Sequence, residues 1–154
     1  DRPFTQSQKE ALVDIFFNVK TETIEKSKFL KNLNEGDYKK AVQEMDFVLA
    51  GSKVEPGLCL RRMDNINTFC AGIHMPESVD AMKKIIAKAN SGVEKQIKKY
   101  DDMIEKTSAF NLAKRGYYQA QKIYLQTESY FFNSKATKML KSAEQSLNKN
   151  KKKK

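Results

Sequence analysis

The sequence predicts an all-α protein in which a compact helical lobe is followed by a long helical hairpin. Apolar residues recur at intervals of three and four along most of the 154-residue chain, as they do on one face of a helix. Six glycines and three prolines are too few for a turn-rich all-β protein. We place the lobe at residues 1–72, the hairpin at 73–147 and a basic disordered tail at 148–154.

The first helix is predicted over residues 6–20 from its cap and its apolar face. Thr5 and Gln8 form a capping-box pattern, a hydroxyl cap with a glutamine three residues later. The residues at helical spacing that should face the core are Ala11, Leu12, Ile15, Phe16 and Val19.

Further helices of the lobe are predicted from cap residues at both ends. They run from Ser27 to Gly36, from Asp37 to Gly51 and from Pro56 to Gly72. A hydroxyl or carboxylate begins the first two, the Pro-Gly pair begins the third, and a glycine ends each of them.

Two nearly heptad series of apolar residues predict the hairpin, and the stretch "EKTSAF" between them predicts its turn. Because this stretch contains no glycine or proline, a single kinked helix is the alternative. The first series is Val79, Met82, Ile86, Ala89, Val93, Ile97, Tyr100 and Ile104. The second is Phe110, Ala113, Tyr117, Ala120, Tyr124, Thr127 and Phe131, continuing after a slip through Ala136, Met139, Leu140, Ala143 and Leu147. These series indicate either packing within the chain or a surface for a protein partner. A cluster of aromatic residues there is too wide for one seam and should contact the lobe or a partner. It consists of Tyr117, Tyr118, Tyr124, Tyr130, Phe131 and Phe132.

Charge and cysteine content restrict the partners and cofactors. The net charge of +10 predicts an anionic partner, such as a cell-wall polymer, nucleic acid, anionic lipid or an acidic protein. Cys59 and Cys70 would lie about 16 Å apart on one helix at about 1.5 Å per residue, so we expect free thiols. With one histidine and no close Cys/His spacing, we expect no metal site, and no motif indicates a cofactor.

We expect neither a membrane span nor a signal peptide in this sequence. No apolar run reaches about 18 residues, and the opening "DRPFTQSQKE" has no apolar core. The first residue is not methionine, which is compatible with a cleaved product. We therefore expect a protein that is cytoplasmic or delivered to the cell wall.

Residues 4–69 resemble the C-terminal lobe of the phage-type lysozymes, the muramidase endolysins of tailed phages. Three segments carry the resemblance in the order and at the spacing of that family: "PFTQSQKEALVDIFFNV", "SKFLKNLNEGDYKKAVQEM" and "AGSKVEPGLCLRRMDNINTF". The resemblance implies a bacterial or phage origin and a peptidoglycan substrate. Lys20 stands where the family has glycine after Phe-Asn-Val, and the tryptophan before its Ala-Gly-Gly-Lys is absent.

The same resemblance implies that the catalytic residues are missing from this sequence. Glycoside hydrolysis needs a proton-donating carboxylic acid and a second carboxylate across the sugar bond. In phage-type lysozymes that acid is a glutamate of the N-terminal lobe, followed by a glycine-rich hairpin, and both would lie before Asp1. We therefore assign no catalytic residue and expect the chain alone to be inactive.

The candidate substrate-binding residues are Asn18, Arg61 and Arg62. A guanidinium at the groove would pair with the carboxylates of peptide stems, and Asn18 would hydrogen-bond substrate. The structural alternatives are that one arginine is solvated while the other holds a helix end, and that Asn18 braces helix backbone.

The sequence leads to three hypotheses for the function. The first is a lysozyme-derived, peptidoglycan-directed protein that is catalytically incomplete, either a binding lobe or a fragment of a muramidase. The second is a helical module repurposed for protein–protein interaction in a phage particle or an effector. The third is a basic helical protein that binds nucleic acid.

Overall fold

The computed structural model describes residues 3–51 and 53–151 and confirms the all-α fold. In chain order, its elements are α1 (Gln6–Asn18), α2 (Thr21–Glu25), α3 (Lys28–Asn34), α4 (Tyr38–Gln43), β1 (Leu49–Ala50), β2 (Lys53–Val54), α5 (Pro56–Phe69), α6 (Glu77–Lys106) and α7 (Leu112–Lys151). The elements from α1 to α5 form the lobe, and α6 and α7 form an antiparallel hairpin that packs on it.

The predicted caps begin the helices of the lobe. The Thr5 hydroxyl accepts a hydrogen bond from the Gln8 backbone N–H, while the Gln8 side chain accepts one from the Thr5 N–H. Ser27 and Asp37 cap α3 and α4 through their side-chain oxygens. Gly36 has a φ of 74°, the left-handed conformation in which glycine ends a helix without steric cost.

The helix predicted from Asp37 to Gly51 is shorter than expected and ends at Gln43. The chain then forms the antiparallel pair β1–β2, which no feature of the sequence had predicted. Met45 and Val48 are nonetheless buried in the core, as their apolar character required. The prediction failed because the spacing of buried residues in this loop imitates the period of a helix, while Gly51, with a φ of 64°, supplies a turn between strands.

The lobe meets the hairpin closely where β2 crosses α6. A Cβ atom added to Gly92 would lie 2.8 Å from the Cβ atom of Val54, which is closer than real side chains approach. A glycine on α6 therefore lets the strand lie directly against the helix.

One continuous core joins the lobe to the hairpin. Met82 and Ile85 of α6, and Phe132 and Ala136 of α7, belong to the same buried cluster as Phe69 of α5. The hairpin therefore covers the lobe instead of projecting away from it.

The apolar face of α6 matches its prediction, but the predicted face of α7 is wrong over its first half. The residues of α6 that were expected to pack are buried or half-buried throughout. Phe110, in the turn before α7, is 96% exposed, and Tyr117, Tyr124 and Phe131 on α7 are 59%, 59% and 56% exposed. Instead, an adjacent heptad series turns toward α6, with Phe132 only 3% exposed. Two stripes of the same period run along α7, and periodicity could not distinguish which of them meets α6.

The chain end differs from its prediction as far as the structure describes it. Helix α7 extends to Lys151, so residues 148–151 are helical where the sequence predicted disorder. Residues 152–154 lie outside the described residues. Over the described ranges, no helix combines the length and apolar character that a membrane crossing requires.

Candidate functional site

A surface groove of about 440 Å³ runs along α1 and reaches α5. Two of the three predicted binding residues line it, Asn18 from the last turn of α1 and Arg61 from α5. The complete lining is Gln6, Lys9, Glu10, Val13, Asp14, Phe17, Asn18 and Arg61. The groove thus exists because α1 and α5 pack side by side and leave their outer edges open.

Asp14 lies at the groove with Asn18 and Arg61, and the sequence patterns did not single it out. Its carboxylate accepts hydrogen bonds from Arg61, with Nη2 at 2.7 Å and Nε at 3.1 and 3.2 Å. Asn65 donates to the same carboxylate at 2.9 Å. The only available signal was an aspartate between apolar residues on the helix that carries Asn18, and such residues are common on solvated faces.

The contacts around Asp14 keep its carboxyl group ionised. The hydrogen bond from Arg61 is the main cause that lowers the pKa of Asp14, with Asn65 and Arg62 adding to it, while partial burial opposes the shift. The same hydrogen bond raises the pKa of Arg61. Arg61 is 48% exposed in its side chain, so it reaches solvent at the groove while Asp14 holds it in place.

Arg62 lies underneath the groove and does not line it. Its side chain is fully buried, and its Nη2 atom lies 3.6 Å from Oδ2 of Asp14. Within the described chain, none of its three guanidinium nitrogens has a hydrogen-bond partner. Burial lowers the pKa of Arg62, and the charge of Asp14 opposes that shift. The structure therefore gives Arg62 an internal position, facing a carboxylate instead of a ligand.

Asn18 uses its amide group on its own helix. Its Nδ2 atom donates to the carbonyl oxygen of Asp14 at 2.6 Å and to Oδ1 of Asp14 at 3.2 Å. These bonds close the last turn of α1, which is the bracing role that the sequence had left open beside substrate binding.

An exposed apolar edge runs beside the charged cluster. Val13 and Phe17 lie one turn apart on α1, line the groove, and are 64% and 90% exposed. Phe16, which was expected to face the core, is 42% exposed. An exposed aromatic ring that lines the same groove as Arg61 is a second feature that the helical period did not reveal.

The two carboxyl groups whose pKa values are shifted are unsuited to general acid catalysis. Glycoside hydrolysis requires one carboxyl group that stays protonated near neutral pH. The pKa of Asp14 is lowered by Arg61, and the pKa of Asp37 is lowered by its hydrogen bonds from Lys40. Both shifts favour the ionised form, which is the opposite of what a proton donor needs.

The cysteines are free, and their environment makes them poor nucleophiles. Burial is the main cause that raises the pKa of both Cys59 and Cys70 to about 12, so both remain thiols at neutral pH. Across residues 3–51 and 53–151, the His, Cys, Asp and Glu side chains form no cluster suited to a metal ion.

The groove lies in the part of the chain that matches a known protein family. Residues 1–65 match the phage lysozyme family model. The endolysin of Bacillus phage B103 is 34% identical over 102 residues. Residues 1–65 are a lysozyme-like region. Among solved structures, no significant match was found.

The family match contains Asp14, Asn18, Arg61 and Arg62 and ends within α5, whereas the 102 residues aligned with the phage B103 endolysin extend beyond residue 65. Helices α6 and α7 lie outside the family match. The aligned segment covers 66% of this chain and 38% of the phage B103 endolysin, so the chain spans well under half of that relative.

Proposed function

We propose that the chain is a lysozyme-derived protein directed at peptidoglycan, and that residues 1–72 correspond to the C-terminal lobe of a phage-type lysozyme. The observation that carries this proposal is the match of residues 1–65 to the phage lysozyme family, within which α1 and α5 form the groove. The similarity to the endolysin of Bacillus phage B103 supports a phage origin.

The groove offers two kinds of contact to a peptidoglycan strand. Asp14 occupies Nε and Nη2 of Arg61, which leaves Nη1 to pair with a carboxylate of a peptide stem. The exposed ring of Phe17 offers a flat apolar surface to the C–H face of a sugar. The net charge of +10 adds a long-range attraction toward anionic wall polymers.

We further propose that this chain binds without cleaving. The lowered pKa of Asp14 supports the proposal at the groove, because a glycosidase must keep one carboxyl group protonated. Within the groove, the second carboxylate beside Asp14 is Glu10, which accepts a hydrogen bond from Gln6 on the same helix.

Two exposed phenylalanines allow a matched test of groove binding. Wild-type protein, Phe17→Ala and Phe110→Ala are sedimented with purified sacculi at moderate salt, and the free fraction is measured. Phe17 and Phe110 are 90% and 96% exposed, so neither substitution removes core packing. We expect Phe17→Ala to weaken binding about tenfold, as the loss of one aromatic contact would, and Phe110→Ala to leave it unchanged.

The same incubations test the remaining parts of the proposal. New reducing ends above the no-protein control would contradict the absence of catalysis by this chain. Equal binding by wild type and Phe17→Ala would remove the groove from the proposal. Tighter binding to duplex DNA than to sacculi, with a steep salt dependence, would favour the nucleic-acid alternative instead.

A further inference from the structure

Helix α7 carries an exposed heptad stripe that no part of the described chain covers. Its residues are Ala113, Tyr117, Ala120, Tyr124, Thr127 and Phe131, at alternating steps of four and three. All six are exposed, including the three aromatic side chains. Steps of four and three are the period with which one helix packs along another in a coiled coil.

The stripe lies away from the face of α7 that packs on α6. The α6-facing side includes Tyr118, whose ring centroid is 6.2 Å from that of Tyr100, and Lys122, which pairs with Asp101. Beside the stripe, Ile123 and Tyr130 are a further 53% and 72% exposed. A continuous apolar surface of this kind on a charged protein marks an interaction site.

The order of side chains along the stripe is self-complementary. Around a two-fold axis at residue 122, an antiparallel second α7 sets Ala113 against Phe131, Tyr117 against Thr127 and Ala120 against Tyr124. Every layer then holds one large and one small residue, so all layers have a similar width. Parallel pairing would instead alternate wide aromatic layers with narrow alanine and threonine layers.

The positions that flank the stripe are also complementary in the antiparallel arrangement. Lys114 of one copy lies near Glu128 of the other, and symmetry makes this pair occur twice. Ile123 meets its own copy near the axis. Gly116 lies level with Glu128 of the second copy and beside its Tyr130, where the absence of a side chain leaves room.

We propose that the occupant of this stripe is a second copy of this chain, joined by an antiparallel α7–α7 contact centred on residue 122. The contact runs from residue 113 to residue 131, about 27 Å at about 1.5 Å per residue. The pairing of large with small residues and of Lys114 with Glu128 selects a second copy. Both pairings require that the facing helix has the same sequence and runs in the opposite direction. The groove on α1 and α5 takes no part in the contact.

Charge reversal tests this contact by sedimentation equilibrium over a series of protein concentrations. Wild type is expected to show a monomer–dimer equilibrium. Lys114→Glu or Glu128→Lys places like charges together twice and should weaken the dimer about tenfold. The double variant Lys114→Glu with Glu128→Lys should restore dimerisation. Lys98→Glu on α6, an exposed site outside the stripe, makes the same charge change and should have no effect.

Cysteine pairing tests the direction of the helices. An oxidised mixture of Lys114→Cys and Glu128→Cys chains should form a cross-linked dimer, and Lys114→Cys alone should not. Wild type provides the background, since Cys59 is buried and Cys70 partly buried. A monomer at every concentration, charge reversals without effect, or self-cross-linking of Lys114→Cys would each overturn the proposal.

Discussion

Asp14 interacts with two arginines, one at the groove and one beneath it. It ties the exposed Arg61 to α1 and is also the carboxylate that lies 3.6 Å from the buried Arg62. Removing a guanidinium from water costs several kcal/mol unless an opposite charge compensates. A single carboxylate on α1 therefore holds Arg61 at the groove and offsets the charge of the buried Arg62.

Removing Asp14 should destabilise the fold. We expect Asp14→Ala to lower the free energy of unfolding by about 3 kcal/mol, because it leaves the charge of Arg62 buried without a partner. Urea denaturation followed by circular dichroism measures this change. The control is Asp64→Ala, an exposed aspartate of α5 that should change stability by less than about 0.5 kcal/mol.

The cause and the pH dependence of this loss can both be checked. If the orphaned charge is responsible, adding Arg62→Met to Asp14→Ala should recover most of the stability, and no recovery would contradict the explanation.

The stability that Asp14 contributes should depend on pH, because the folded pKa of Asp14 is lowered from its ordinary 3.8. Its contribution is therefore fully present above that value and is lost as the pH falls through the lower folded pKa, so the two proteins should converge in acid.

At the scale of elements, the contact of β2 with α6 depends on one missing side chain. Gly92 lies in the interior of a long helix, where glycine costs about 1 kcal/mol relative to alanine. Glycine is nevertheless required here because β2 occupies the space of a Cβ atom. A Cβ atom added at position 92 would lie 2.8 Å from the Cβ atom of Val54. Steric fit between two elements therefore outweighs the local preference of one of them.

Gly92→Ala should consequently destabilise the protein despite the better helix propensity of alanine. Forcing the strand away from α6 costs about 1–3 kcal/mol, which the propensity gain of about 1 kcal/mol only partly offsets. Thermal unfolding should show a lower midpoint. The neighbouring exposed Ser91→Ala gains propensity without a clash and should not lower the midpoint, so a drop in both variants would refute the steric explanation.

At the scale of the whole molecule, the hairpin packs on the lobe. Their residues share a core, with Phe132 of α7 3% exposed in the same cluster as the buried residues of α1 and α5. The lysozyme-like region thus uses a hairpin outside its family match to cover its apolar surface. We propose that the lobe depends on this cover for its stability.

Phe132→Ala tests that dependence within the intact chain. Removing a buried phenylalanine should cost about 3–5 kcal/mol and should speed backbone amide exchange in α1 and α5, which contain none of the changed atoms. Hydrogen exchange read by mass spectrometry reports each helix separately. The exposed Phe110→Ala is the control. Unchanged exchange in α1 and α5 would show that the lobe folds without the hairpin.

Much of the fold was predictable because its signals are local. The caps at Thr5, Ser27 and Asp37, the end of α3 before Gly36 and the turn after α6 each depend on a few neighbouring residues. The candidate site was partly predictable, since Asn18 and Arg61 lie at the groove. Asp14 was missed because its partners are 47 and 51 residues away along the chain.

The sequence by itself determined the all-α class, most helix ends and the lysozyme-like region, because capping, periodicity and motif spacing act over a few turns of chain. Only the tertiary structure decided which of two equal stripes on α7 meets α6, and that Arg62 lies inside while Arg61 lies at the groove. Both choices depend on how surfaces distant in sequence fit together, and steric complementarity between them is a property of the packed molecule.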